Sequence, residues 1–220
     1  MTVIAIDGPA GAGKSTVARA VATVLGYDYL DTGAMYRAVA LAALENDVDP
    51  NDGDRLRDLS RGLEIVATPE RVTIDGRDVT ARIRDADVTE IAPAISARPE
   101  VREALVALQR DAATGRDVVV EGRDIGSAAL PDAELKVFLT ASLTERAQRR
   151  VRQLGLPEDR DTLERYRGSI EARDAADSNR ASSPLVQPPD AVVIDSTGRT
   201  LDEVVDEIVS LARGRDAAAG

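Results

Sequence analysis

The sequence predicts an α/β fold, a mostly parallel five-stranded sheet covered by helices, and three observations predict it. Short, β-branched, continuously apolar runs recur at Thr2–Asp7, Asp117–Glu121, Leu135–Leu139 and Ala191–Asp195, as in strands buried on both faces. Helical spacing fills the intervals, as in Val17, Val21, Val24 and Leu25 after the first run and Val101, Leu105, Leu108 and Ala112 before the second. A glycine-rich turn joins the first strand to the first helix.

Taken in order, Gly26 follows the first helix where a left-handed cap is commonly needed. Tyr27–Asp31 reads as a second short strand and Gly33–Glu45 as a second helix. The stretch from Leu63 to Ile95 breaks the rhythm. There LEIVA, RVTI, an Asp75-Gly76 turn and RDVTARI read as short antiparallel strands. A small inserted lobe is expected over residues 63–98, with the frame formed by 1–62 and 99–213 and a further helix starting near Pro99. Residues 155–160, with Gly155 and Pro157 between two helical patterns, read as part of a mobile lid, and a frayed tail is expected from residue 214 to 220.

With 220 residues and 43% hydrophobic content the chain can bury one sizeable core. A net charge of -11 repels nucleic-acid backbones and anionic membrane surfaces. With no cysteine and no histidine, disulfides, thiolate metal sites and imidazole acid–base chemistry are excluded. Chemistry here is left to carboxylates, arginine, lysine, hydroxyls and backbone amides, with or without a bound hard cation. The first strand follows no basic leader and no apolar run approaches a membrane span, so a cytoplasmic protein is expected.

Gly8, Pro9, Ala10, Gly11, Ala12, Gly13, Lys14 and Ser15 fit the pattern G-x-x-x-x-G-K-[ST] at every fixed position, with Thr16 beside them. The glycines let backbone N–H groups turn in on phosphate oxygens, Lys14 reaches the β and γ phosphates, and the Ser15 hydroxyl ligates Mg²⁺. A strand before the motif and a helix after it are the context that this reading requires. ATP and Mg²⁺ are thus expected. Neither of the two lysines, Lys14 and Lys136, lies in an N-K-x-D base-reading motif, which disfavours a switch GTPase. A small-molecule kinase is favoured; a nucleotide-dependent binding switch stays open.

Asp31–Arg37, Glu121–Gly126 and Arg173–Arg180 carry most of the polar residues expected in a cleft, because ligands of open α/β sheets bind beyond the strand C-terminal ends. Their arginines suit a phosphate not held by the glycine-rich loop. Arg123 and Asp124 could instead pair with each other, Tyr36 could be packing, and Arg146, Arg149 and Arg150 could face either ATP or water.

Over essentially its whole length the chain resembles the bacterial cytidylate kinases, on the strength of GPAGAGKS, LDTGAMYR, VREAL, EGRDIG and the R-D-x-x-D-x-N-R arrangement from Arg173 to Arg180. The resemblance implies a P-loop kinase fold that phosphorylates CMP or dCMP with MgATP. It implies that Arg37, Arg123 and Arg180 hold the CMP phosphate, that Arg173 and Asp177 contact the sugar, that Thr32 and Tyr36 line the acceptor site with Gly122, and that Arg102 and Asp124 read the cytosine edge. Lys14, Arg123 and Arg180 would stabilise the transferring group. The expected partners are ATP and CMP or dCMP, with neither nucleic acid nor membrane, and a monomer is expected. Thr32 stands where serine is also familiar, and Pro93 stands near the place of a base-contacting serine, with Ser96 as the nearest substitute.

Overall fold

The computed structural model describes residues 1–180 and 182–219. In chain order these form β1 (Val3–Asp7), α1 (Lys14–Leu25), β2 (Asp28–Asp31), α2 (Thr32–Glu45) and α3 (Gly53–Gly62). There follow β3 (Ile65–Ala67), β4 (Val72–Ile74), β5 (Arg77–Asp78), a 3₁₀ turn at Arg82–Arg84, α4 (Ala86–Ser96) and α5 (Pro99–Ala113). The chain continues through β6 (Val118–Glu121), a π-helical turn at Ile125–Ala129, β7 (Leu135–Thr140), α6 (Leu143–Gln153), α7 (Arg160–Ser178), β8 (Val192–Asp195) and α8 (Leu201–Ala219). Two compact units result, one of Met1–Asp28 with the chain from Arg116 onward, the other of Tyr29–Gly115.

The five-stranded sheet runs in the order β2-β6-β1-β7-β8, with β1, β6, β7 and β8 in the first unit. Pairing is parallel, with Ile6 opposite Glu121, Asp7 opposite Phe138 and Thr140 opposite Asp195. The acidic ends of β1, β6 and β8 therefore emerge along one edge, the C-terminal edge where such sheets place ligands. Ile4, Ala5, Ile6, Val119, Val120, Leu135 and Leu139 are fully or almost fully buried, as continuous apolar runs in a helix-covered parallel sheet should be. Helix α1 packs on β1, β6 and α8, α8 also meets β7, and α6 packs along α7. Gly26 closes α1 in the left-handed region at φ 72°, and Tyr27 N–H returns to the Ala22 carbonyl at 2.9 Å. That closure draws Tyr27 into the helix end, so β2 starts one residue later than the sequence predicts.

The second unit is built around α2, in which every residue from Ala38 to Ala43 is buried. Helices α3, α4 and α5, the 3₁₀ turn and strands β3 and β4 all pack on it. The antiparallel sheet β3-β4-β5 falls inside the insertion expected at 63–98, but the compact unit that holds it is wider. The third predicted strand, RDVTARI, stops after Asp78. The Asp78 carboxylate accepts from Thr80 N–H at 2.9 Å and from Thr80 Oγ1 at 2.7 Å, a local turn that competes with the ladder, and the chain goes on into the 3₁₀ turn. Two helices go beyond the sequence reading. Asp52 caps α3 through Arg55 N–H, and α4 forms despite Pro93 inside it.

Residues 155–160 connect α6 to α7, with Arg152 paired to Glu158 at 2.9 Å and Asp159 capping α7. Helix α8 runs through residues 214–219, where fraying is expected from sequence, and Gly220 lies outside the described residues. Among the described residues no helix is long and apolar enough to cross a membrane.

Candidate active site

The glycine-rich motif forms the turn from β1 into α1 in the first unit. Gly8 has φ 147°, and a Cβ there would lie 1.9 Å from the Leu139 carbonyl oxygen of the neighbouring strand, so no other residue fits without moving backbone. Lys14 opens α1, is 6% exposed, and donates from Nζ to the Pro9 carbonyl at 2.8 Å. Burial first, then the cations Arg123 and Arg173, push its pKa down to about 7, while Glu121 and Asp7 pull it up. Lysine, both arginines and both acids thus share one electrostatic neighbourhood. The buried Asp7 accepts from Ile125 N–H at 2.8 Å and Gly126 N–H at 2.7 Å. Burial raises its pKa to about 6 against those two hydrogen bonds.

The motif is braced from behind. Asp174 of α7 accepts from Ala10 N–H at 3.0 Å and forms an ion pair with Arg146. Arg146 of α6 donates to the carbonyls of Ala10 and Ala141, both at 3.0 Å. One turn on, Arg149 reaches the Ala12 carbonyl at 3.2 Å and Ser196, and pairs with Glu145 at 2.9 Å. These two arginines therefore hold the loop's backbone, an option absent from the choice between ATP and water, while Arg150 donates to Gln153 at 2.9 Å on the exposed face.

Beside the loop, Arg123 follows β6 and donates from Nε to Asp177 of α7 at 3.0 Å and from Nη1 to the Gly122 carbonyl at 3.3 Å. Arg180 donates to the Asp177 carbonyl at 3.2 Å and stands 3.9 Å from its carboxylate. Arg123, Asp177 and Arg180 are thus one cluster, in which Arg123 pairs with the Asp177 carboxylate, while Asp124 is itself buried.

The predicted residues Thr32, Tyr36, Arg37 and Arg102 belong to the second unit. Asp31 caps α2 by accepting from Ala34 N–H at 2.8 Å and pairs with Arg37 at 3.3 Å. Thr32 is buried in the first turn of α2. The buried Arg102 of α5 lies with its guanidinium 5.2 Å from the Tyr36 ring centroid and donates to the Ser96 carbonyl at 3.1 Å. Such stacking fixes an arginine fork in orientation. Tyr36, Arg102 and Ser96 are brought together, although Ser96 offers its carbonyl and keeps its hydroxyl on Pro93 O at 3.0 Å.

Residues 4–214 match the protein family described as cytidylate kinase. The chain belongs to the cytidylate kinase family. A cytidylate kinase of Caldanaerobacter subterraneus subsp. tengcongensis is 47% identical to it, across 96% of this chain and 94% of the relative. Another, of Symbiobacterium thermophilum, is 49% identical across 96% of each. In fold, the crystal structure of a gluconokinase from Sinorhizobium meliloti 1021 covers 100% of this chain and 98% of its own, with a TM-score of 0.52 at 18% identity. That likeness concerns the fold alone.

The groups that this cytidylate kinase family implies fit the residues present. The close-approach glycine, the buried Lys14 and the N–H groups at the start of α1 suit phosphate oxygens. For a magnesium ion, Ser15 offers a hard oxygen on the exposed first turn of α1. Among the described residues no group of three His, Cys, Asp or Glu side chains could hold a metal, so the protein's share would be small, in keeping with an ion that retains water and phosphate ligands. The bracing roles of Asp174, Arg146 and Arg149 are not legible in the sequence, because their partners lie up to 164 positions away. The only local signal was the adjacency of Asp174 to Arg173.

Proposed function

We propose that the chain transfers the γ-phosphoryl group of ATP to CMP or dCMP, giving ADP and CDP or dCDP. The observation that carries this is the buried Lys14 in a braced phosphate loop with Arg123 and Arg173 beside it, in a chain of the cytidylate kinase family. An oxygen of the acceptor phosphate attacks the γ-phosphorus in line as the bond to the β-phosphate oxygen breaks, so catalysis is positioning and charge neutralisation. Lys14 carries charge at the β and γ phosphates, and the N–H groups from Gly11 to Thr16 orient them. Arg123 and Arg180 hold the acceptor phosphate, with Arg173 and Asp177 on the sugar. Thr32, Tyr36, Arg37, Arg102, Gly122 and Asp124 are proposed as further acceptor contacts, each tested singly by substitution. A magnesium ion, held by Ser15, would neutralise charge on the β- and γ-oxygens. No general base is needed, because a phosphate dianion arrives deprotonated. A cytoplasmic monomer, acting on these small molecules without nucleic acid or membrane, and with residues 155–160 closing as part of a lid, completes the reading.

A coupled ADP-release assay across nucleoside monophosphates, shikimate and gluconate tests it. CMP and dCMP should be the fastest acceptors. Acceptor-independent ATP hydrolysis, or faster turnover of another acceptor, overturns it.

A further inference from the structure

Asp174 occupies an unusual place. Its carboxylate takes the N–H of Ala10 and the guanidinium of Arg146, and Arg146 takes the carbonyl of the same Ala10, so both polar groups of one loop residue are fastened to one ion pair. The pair is mostly shielded, with side-chain exposures of 10% and 21%. The phosphate loop is therefore tied to α7. The same helix presents Asp177, three residues on, which holds Arg123 at 3.0 Å, and carries Arg173, a cation close enough to depress Lys14.

We propose that Asp174 is a positioning residue which, with Arg146, couples the acceptor-holding end of α7 to the ATP-holding loop, so that each substrate tightens binding of the other. The inference rests on the functional reading above for the identity of the two ligands. Its physical basis is that a ligand drawing Arg123, Arg173 or Asp177 into one arrangement fixes α7. A fixed α7 holds Ala10 through two shielded, charge-assisted contacts of 3.0 Å, one direct from Asp174 and one by way of Arg146. Binding of the second ligand then has less ordering left to oppose it, which is positive coupling without any shared atom. Coupling is reciprocal, so either ligand can be titrated first.

The test measures the dissociation constant of a non-hydrolysable ATP analogue with and without saturating CMP, in the full chain and in Asp174→Ala and Asp174→Asn, with Tm recorded for each. CMP should tighten the analogue about fivefold or more in the parent chain, the lower end of ordinary coupling. The factor should drop below about twofold in Asp174→Ala. Asparagine still accepts from Ala10 N–H but loses the charge on Arg146, so Asp174→Asn should fall between. A residue that served folding alone would lower Tm and weaken both measurements equally, leaving the ratio intact, and an intact ratio in Asp174→Ala overturns the proposal. If the alanine variant does not fold, an unchanged ratio in Asp174→Asn does so. A parent chain that turns over CMP yet shows no coupling sinks the brace alone; one that neither binds nor phosphorylates CMP sinks the functional reading with it.

Discussion

Replacing Gly8 with alanine should damage both stability and nucleotide binding, by an amount that the backbone sets. The added Cβ would sit 1.9 Å from the Leu139 carbonyl oxygen, about 1.5 Å short of ordinary contact. The obstacle cannot swing away. Leu139 continues β7, which is hydrogen-bonded to β1 with Asp7 opposite Phe138. Overpacking of this kind costs about 1–3 kcal/mol, and the φ of 147° adds about 1–3 kcal/mol for a residue with a side chain. Taken together, a loss of about 2–6 kcal/mol lowers Tm by something of order 10 °C in a chain of this length. Relief of the clash also displaces the turn that leads to Lys14, so an ATP analogue should raise the variant's Tm far less than the parent's. Gly26→Ala is the control, since its φ of 72° carries the conformational cost but nothing lies within 4 Å of the new methyl. Thermal unfolding with and without the analogue decides the matter. A Gly8→Ala protein with the parent's Tm and analogue response would refute the reasoning.

Lys14→Ala should cut turnover about a hundredfold or more, as loss of one preorganised charge-stabilising donor does; a folded variant that keeps most of its kcat in the coupled assay places the chemistry elsewhere. The raised Asp7 pKa means that the folded chain binds more protons than the unfolded one between about pH 4 and 6. Stability from this group is therefore present below the unfolded pKa and lost as pH rises through 6, by at most about 3 kcal/mol at roughly 1.4 kcal/mol per pKa unit. Urea midpoints from pH 4 to 7 should show that loss in the parent and not in Asp7→Asn, and parallel slopes would contradict it. With saturating MgATP and CMP the bound phosphate anions raise the Lys14 pKa back above the value of about 7 that burial gives it, so kcat should rise below about pH 6 and stay nearly flat from pH 7 to 9 as the acceptor dianion fills. A bell in that window, traced by rapid quench to phosphoryl transfer, would reveal an acid–base group on the enzyme.

Much of this was legible in the chain because single segments carry it. The strands of the parallel sheet announce themselves as apolar runs, since burial on both faces leaves no alternation to obscure them. The loop from Gly8 to Ser15 is contiguous, so its chemistry is written in eight letters. What escaped depends on partners far apart in sequence or on turns that overrule propensity. Helix α4 hides behind Pro93, whose missing N–H argues against a helix that packing on α2 sustains. Val79 and Thr80 have strand-forming side chains, yet Asp78 turns the chain first. From sequence the bracing arginines face either ATP or water, because their helix is otherwise charged, and only the fold brings Ala10 and Ala12 under them.

The place of β1 in the sheet has a consequence for synthesis. Its two neighbours, β6 and β7, are made long after it, with the whole of Tyr29–Gly115 in between. At roughly 5–20 residues per second, the ribosome needs about 5–25 s to move from Asp7 to Glu121. Throughout that interval VIAID, the strand destined for the middle of the sheet, has both hydrogen-bonding edges open, while the helices around α2 already have their own partners within reach. The nascent chain should therefore acquire its second unit first and carry an exposed, aggregation-prone strand until β6 emerges. Chaperones that bind extended apolar segments would find their target in β1 during that window.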